Sequence, residues 1–384
     1  MSLSVAVRKI ENYNVEEIRE ALTEFITNAN SARLDSARTV LIKPNLLGAF
    51  APEQAVTTHP AVVEALILVL QEMGKEVWLG DSPGGSGNAK NVWLKTGMQA
   101  LADKYKIELV NFSGFGVQEI ESEGMKLTIS KVAWEADAII NVGKLKTHSL
   151  MAYTGAIKNL YGLVPGMIKT EYHKLYPGSD TFGKMLTSLY RIVRHRAVYH
   201  ILDGIVGMDG AGPSAGRARN FGLLLGSVSA PALDYLAASF MGFKLDQVGY
   251  VKAALHADGI IPSQIEYPIS FREFRLTKVN YLGAALSSRL LRHVPKAARL
   301  ILRQVYDFYP VITETCQSCL LCVRSCPVQT IIHNPPDLPV IKTDKCIRCL
   351  CCHELCPHRA ISLHKSLLAR LVLSNRNGKK GEEQ

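Results

Sequence analysis

The chain has 384 residues, 47% hydrophobic and 20% charged, enough for a large domain plus a smaller one and not the composition of a disordered chain. Its net charge of +10 arises wholly after residue 270: residues 1–270 carry 26 Lys+Arg against 26 Asp+Glu, and the rest carry 18 against 8. All nine cysteines lie at or after Cys316, so no disulfide framework holds the large domain, which points to a reducing, cytoplasmic compartment.

The N-terminus, MSLSVAVRKIEN, lacks the apolar core and cleavage site of a signal peptide. Over the first 230 residues of a domain expected to span 1–270, short β-branched runs alternate with helical patterns, the mark of a parallel sheet with crossover helices. The runs are LSVAV (3–7), TVLI (39–42), EVWL (76–79), IELVNF (107–112), AIINV (138–142), YHIL (199–202) and FGLLL (221–225). Pro60 to Met73 reads as a helix, with Pro60 at the first position and Gly74 as its stop. The most apolar stretch, Phe221 to Phe243, is broken by Gly226, Pro231 and Asp234, which predicts a buried strand followed by a helix rather than a membrane span. The fold class expected is α/β: an open, mostly parallel sheet with helices on both faces, followed by a small α+β domain.

In such sheets ligands bind outside the carboxyl ends of the strands. After TVLI comes Lys43-Pro44-Asn45, and then Thr57-Thr58-His59-Pro60. After EVWL comes Asp81-Ser82-Pro83-Gly84-Gly85, whose glycines let a backbone approach a ligand. After AIINV come Lys144, Lys146 and His148, then Lys158 and Asn159; after YHIL comes Asp203. The lysines supply positive charge to a carboxylate or phosphate, and His59, His148, His173, Asp81 and Asp203 are candidates for proton handling or for a metal. The sharper reading assigns Lys144, Lys146, His148 and Asp203 to catalysis, and Lys43, Asn45, Asp81, Ser82, Gly84, Gly85, Lys158 and Asn159 to cofactor binding. The plainer one makes the same residues turns, helix caps, core histidines and solvated lysines. No G-x-G-x-x-G follows a strand, no P-loop occurs, and GDSPGG has the wrong order for a nucleophile elbow.

Residues 271–310 form a basic, periodic stretch expected as a helical connector. It is either solvated or a face for an acidic flavodoxin- or ferredoxin-type partner or a membrane surface. Nucleic-acid binding is disfavoured, because no zinc-finger, helix-turn-helix or RNP pattern accompanies the charge.

Residues 311–365 hold Cys316, Cys319, Cys322 and Cys326, then Cys346, Cys349, Cys352 and Cys356, each set spaced C-x2-C-x2-C-x3-C-P and offset by 30 residues. Two-residue gaps wrap three corners of a [4Fe–4S] cube, and the fourth cysteine reaches the other cube. One cluster is therefore expected on Cys316, Cys319, Cys322 and Cys356, the other on Cys346, Cys349, Cys352 and Cys326. Zinc does not account for two full sets with trailing prolines. Cys351 is the odd cysteine, read as a buried packing residue. Residues 366–384 read as a partly disordered tail.

This module resembles the bacterial two-cluster ferredoxins, departing from them at Leu320–Leu321 and Leu350–Cys351, where such loops often hold a glycine. The series KPN, TTHP, GDSPGG, KLKTH, TGAIKNLYGLVPG and DGIVGMDGAGP ahead of it resembles the family known as domain of unknown function 362. That resemblance implies an iron–sulfur protein without implying a reaction. Two functions stay open. In one, the clusters relay electrons to or from an anionic small molecule, or a cofactor or metal, in the α/β domain. In the other, an electron-transfer or maturation subunit docks a partner enzyme. A deep pocket at the strand ends favours the first.

Overall fold

The computed structural model of the chain describes residues 3–85, 88–268, 279 and 308–365. Six of the seven runs form strands of one sheet and the first is split, Leu3–Ser4 pairing with Ile265–Glu266 while Ala6 and Val7 enter the sheet. Its strands are β1 (Ala6–Lys9), β2 (Thr39–Pro44), β3 (Glu76–Asp81), β4 (Glu108–Asn111), β5 (Ala138–His148), β7 (Ala197–Asp209) and β8 (Arg217–Ser227). An eighth strand, β6 (Ala152–Thr154), folds back on β5. The order across the sheet is β1-β8-β7-β5-β2-β3-β4. The five strands from β7 to β4 are parallel, and β8 runs antiparallel to both β7 and β1.

Alternation places successive residues on opposite faces. Val40 and Ile42 enter one hydrophobic cluster and Leu41 the other; in β5, Ile140 and Val142 oppose Ile139. Helices α1 (Val15–Ala29) and α2 (Pro60–Glu72) cover the first face through Ile18, Leu22, Leu66 and Leu70. Helices α5 (Gly178–Val193) and α6 (Ala230–Phe240) cover the second through Phe182, Leu186, Leu233 and Phe240. Each such fully buried side chain contributes about 1.5–3 kcal/mol. Helix α2 starts as the sequence indicates: His59 accepts from the Ala61 N–H, Pro60 occupies the first turn, and Gly74 beyond the last turn has φ +70°. The apolar stretch 221–243 becomes β8 and α6, and among the described residues no helix is long and apolar enough to cross a membrane.

Two expectations change. Strand β5 does not end at Val142; it runs on to His148 with all eleven residues buried, so Lys144, Lys146 and His148 lie inside the sheet rather than in a loop. Asp203 likewise lies within β7, opposite Lys144 of β5, just before an irregularity in register.

Between β6 and β7 lie α3 (Ala156–Asn159) and α4 (Ile168–Leu175). The C-terminal module pairs β9 (Phe308–Ile312) with β12 (Ile361–Lys365), and β10 (Ile331–Ile332) with β11 (Val340–Ile341), both antiparallel. Two short helices, α7 (Leu321–Arg324) and α8 (Cys351–Leu355), follow the two cysteine loops. The sequence duplication is also a backbone duplication. Ser318 and Arg348 have φ 47° and 57°, Leu320 and Leu350 59° and 63°, Gln329 and Arg359 both 52°. Of the expected connector 271–310, only Val279 and the strand residues 308–310 are described; the tail 366–384 lies outside the described residues.

Candidate functional site

The lysines of the strand ends divide into two groups. Lys144 is fully buried, and its Nζ donates to Asp203 Oδ2 at 2.8 Å and to the Tyr13 hydroxyl at 2.9 Å. Tyr13 donates to Asp203 Oδ1 at 2.9 Å and stacks on His59, whose own N–H donates to Asp203 Oδ2. Lys43 is paired in the same way with Asp81, 2.9 Å away, while Asp81 also accepts from the N–H groups of Leu46 and Ser82 at 2.8 Å. Burial lowers both ammonium groups from their ordinary value, and the facing carboxylates oppose that shift. Gly162 is glycine because a Cβ there would run into both Asp81 and Lys43.

A polar ladder connects these strands to α3. Lys146 Nζ donates to Val56 O at 2.6 Å and Asn45 Oδ1 at 3.0 Å, and Asn45 Nδ2 donates to Asn159 Oδ1 at 2.9 Å. Asn159 donates in turn to Asn141 Oδ1 at 2.8 Å, and Asn141 to Ala156 O at 2.9 Å. From α6, Asp234 accepts the N–H groups of Ala156 and Ile157 at 2.6 and 2.9 Å and the Tyr153 hydroxyl at 3.1 Å. Burial lifts the Asp234 carboxyl to about 7 against those three donors. The acid that interrupts the apolar stretch thus holds the start of α3 and positions Lys158.

Lys158 differs from the other lysines. It is half-buried, and its ammonium makes no hydrogen bond or ion pair among the described residues. Burial lowers it, while Glu354 pulls the other way. It lines a cavity of about 80 Å³ together with Asn45, Asp81, Ser82 and Asn159 from the strand ends and Lys169 and His173 from α4; Gly84 and Gly85 also border it. Lys169 donates to the carbonyls of Ser82 and Pro83, and burial brings its ammonium down to about 7. His173 stacks on Phe182 and is held near 3 by burial, so it is neutral at pH 7. Lys43, Lys144, Lys146, His148 and Asp203 do not line this cavity.

The remaining wall belongs to the cysteine module: Cys351, Glu354 and Leu355 of α8. Gly84 and Gly85 are needed for this contact, since a Cβ on Gly84 would come within 2.5 Å of Leu355, and one on Gly85 within 2.5 Å of Ser325 Oγ and 2.6 Å of Leu355. The glycines that read as a ligand cradle therefore admit the module. Ser214 Oγ donates to His353 O at 3.3 Å, and His353 Nε2 lies 3.2 Å from Ala211 O, adding polar links. His148 meets the module too, with Nε2 3.2 Å from Glu354 Oε1; both atoms are buried and make no hydrogen bond among the described residues. Nδ1 of His148 accepts from the N–H groups of Leu150 and Met151, which places the neutral ring's proton on Nε2.

Sequence reasoning missed Tyr13, Tyr161, Gly162, Lys169, Glu354 and Leu355. Of these, Glu354 lies between two cysteines of a tight loop, which is the nearest the sequence comes to a signal. A larger groove of about 480 Å³, bordered by Asp180, Lys184, Asp246 and Lys252, involves none of the residues singled out from the sequence.

In the module, Cys316, Cys319, Cys322 and Cys356 line one cavity, and Cys326, Cys346, Cys349 and Cys352 line another together with Cys351. Backbone N–H groups of Ser318, Arg348, Thr330 and Ala360 point at the sulfurs of Cys316, Cys346, Cys326 and Cys356 at 3.3–3.4 Å. Among the described residues no three His, Cys, Asp or Glu side chains converge to hold a single metal ion. The sulfurs surround volumes rather than points, and N–H donors to sulfur suit thiolates that share their charge with a cluster. The residues fit iron–sulfur clusters.

Comparison with known proteins supports a 4Fe-4S cluster in the second cysteine set's segment. A 4Fe-4S binding domain matches residues 339–362, so this is an iron–sulfur protein. A thylakoid-associated protein of Synechocystis sp. is 36% identical over 237 residues, covering 60% of this chain and 72% of the relative. The lactate racemase apoprotein from Thermoanaerobacterium thermosaccharolyticum superposes with a TM-score of 0.38 and 14% identity, over 62% of this chain and 57% of that one. The model of the family described as Domain of unknown function (DUF362) matches residues 40–239, more than half of the chain, and the protein belongs to that family.

Proposed function

We propose that the protein is a cytoplasmic redox protein that relays electrons to or from a small anion held between its α/β domain and its cysteine module. In this reading Cys316, Cys319, Cys322 and Cys356 hold one [4Fe–4S] cluster, and Cys326, Cys346, Cys349 and Cys352 hold the other. Such clusters, when bound, supply one-electron transfer.

The observation that carries the reading is the shared cavity, walled on one side by the strand ends and on the other by α8. Lys158 lines it without a hydrogen bond or ion pair among the described residues, and Lys169 adds a second basic group. Its volume of about 80 Å³ is far below the ~300–1,000 Å³ of drug-sized pockets, which favours an anion of few heavy atoms over a nucleotide. Lys158 and Lys169 bind the anion, and Asn159 and Asn45 orient it. His148 and Glu354 are placed to hold or pass a proton near its edge. Lys43–Asp81 and Lys144–Asp203 keep the strand ends in register and act only through that support. The basic excess after residue 270 suits an acidic flavodoxin- or ferredoxin-type partner. The thylakoid-associated relative adds a membrane surface as a further site for that charge.

The small volume also favours a second reading, an electron-transfer or maturation subunit that binds no substrate. Anaerobic purification separates the two. Iron and sulfide should each approach about eight per chain, as two cubes require. Release of a stoichiometric small anion on denaturation supports the first reading. Its absence, with isothermal titration showing no uptake of formate, phosphate or bicarbonate, supports the second. Zinc in place of iron in oxygen-free protein would overturn both.

A further inference from the structure

If the cavity is the functional site proposed above, the structure also says which cysteine set serves it. Cys351 borders two spaces at once: the strand-end cavity, and the cavity ringed by Cys326, Cys346, Cys349 and Cys352. No member of the set Cys316, Cys319, Cys322 and Cys356 lines the strand-end cavity. That set includes the exposed Cys319, whereas Cys351 is buried between the two spaces. A second observation marks the same wall as a binding surface. Glu354, 6% exposed, lines the strand-end cavity, and its buried Oε1 has only the His148 Nε2 contact at 3.2 Å, which is not a well-formed hydrogen bond, among the described residues. Lys158 lines the same space with no hydrogen bond or ion pair among the described residues.

We propose that the set Cys326, Cys346, Cys349 and Cys352 is the cavity-proximal one, coupled electrostatically to whatever the cavity holds across the single side chain of Cys351. Charges separated by one buried side chain interact strongly because little water intervenes, and the interaction weakens with distance. An anion beside Lys158 therefore disfavours the reduced, more negative state of the proximal set and affects the distal set less. Coupling is reciprocal, so reduction of the proximal set weakens the anion by the same factor. The cavity is then a site that holds its anion when the protein is oxidised and loosens it on reduction.

The test uses the full chain, purified without oxygen, with both sets titrated by electron paramagnetic resonance. The signals are assigned with Cys319→Ser for the distal set and Cys349→Ser for the proximal one. Lys158→Met, with Lys158→Gln as a second variant, removes the ammonium beside the wall. The expected result is a lowered potential for the proximal set, at least a threefold change in its reduction equilibrium, with less than half that effect on the distal set. Cys351→Ser should change the proximal signal alone. Equal shifts of both sets, a larger shift of the distal one, or no shift of either would overturn the proposal. Formate is added as the probe anion in a separate arm. If Lys158→Met moves the proximal set and formate moves neither, the proximity stands and the anion reading falls.

Discussion

Lys144 of β5 and Lys158 of α3 lie on neighbouring elements, and both read in sequence as cations of a ligand site. Lys144 is closed off: Asp203, Tyr13 and His59 surround it and leave nothing for a ligand to neutralise. Lys158 makes no hydrogen bond or ion pair among the described residues and faces a cavity whose far wall comes from another part of the chain. A buried cation is a stability element when the fold supplies its anion and a binding element when it does not.

The largest expected effect lies on the closed side. Lys144→Met or Asp203→Leu alone strands a buried charge and should cost about 3–5 kcal/mol in denaturant unfolding. The double replacement should recover much of that loss; if it does not, the pair does more than hold strands together. Gly85→Ala comes next. It combines a left-handed backbone with a collision at Ser325 and Leu355, so it should loosen the module while leaving the sheet intact. Hydrogen exchange should rise across α8 and stay unchanged in β2 and β5.

On the open side, Lys158→Ala should weaken a bound small anion about tenfold, equivalent to ~1.4 kcal/mol. It should leave stability nearly unchanged, since no partner is stranded. The pH dependence has a definite sign. Lys169 binds an anion when protonated and titrates at about 7, so affinity should be full below that pH and fall as pH rises through it. Titration calorimetry between pH 6 and 9 (~3 units spanning that group) checks it, and a flat profile would remove Lys169 from the site.

The smallest effect compares the two halves of the module. Leu320 and Leu350 both hold left-handed φ values, a cost of roughly 1–2 kcal/mol that glycine avoids. Leu320 is half-buried, so Leu320→Gly should be near neutral or slightly stabilising. Leu350 is buried, and Leu350→Gly should lose about 1 kcal/mol net as lost packing outweighs relief of strain. Thermal unfolding of the two variants should rank them in that order.

Seven of the sheet's eight strands were legible, β6 being the exception, because β-branched runs bounded by turn residues have few other outcomes. The cysteine duplication was equally legible, because cluster ligation depends on spacing along the chain. The continuation of β5 through Gly143–His148 was not. Two lysines and a histidine normally end a buried strand, and only Asp203, Asn45 and Val56, brought in from other segments, allow them to stay inside. The meaning of Gly84 and Gly85 was hidden for the same reason, since what approaches them is Leu355 and Ser325 of the module.

The sequence by itself determined the fold class, the location of all nine cysteines and the family, since periodicity and short spacings are local properties. Tertiary structure alone decided which lysine is paired and which is free, and that the module closes the strand-end cavity. It also decided that Cys351 stands between that cavity and one cysteine set. Each of these depends on charges and surfaces far apart in the chain, whose partners exist only once the chain has folded.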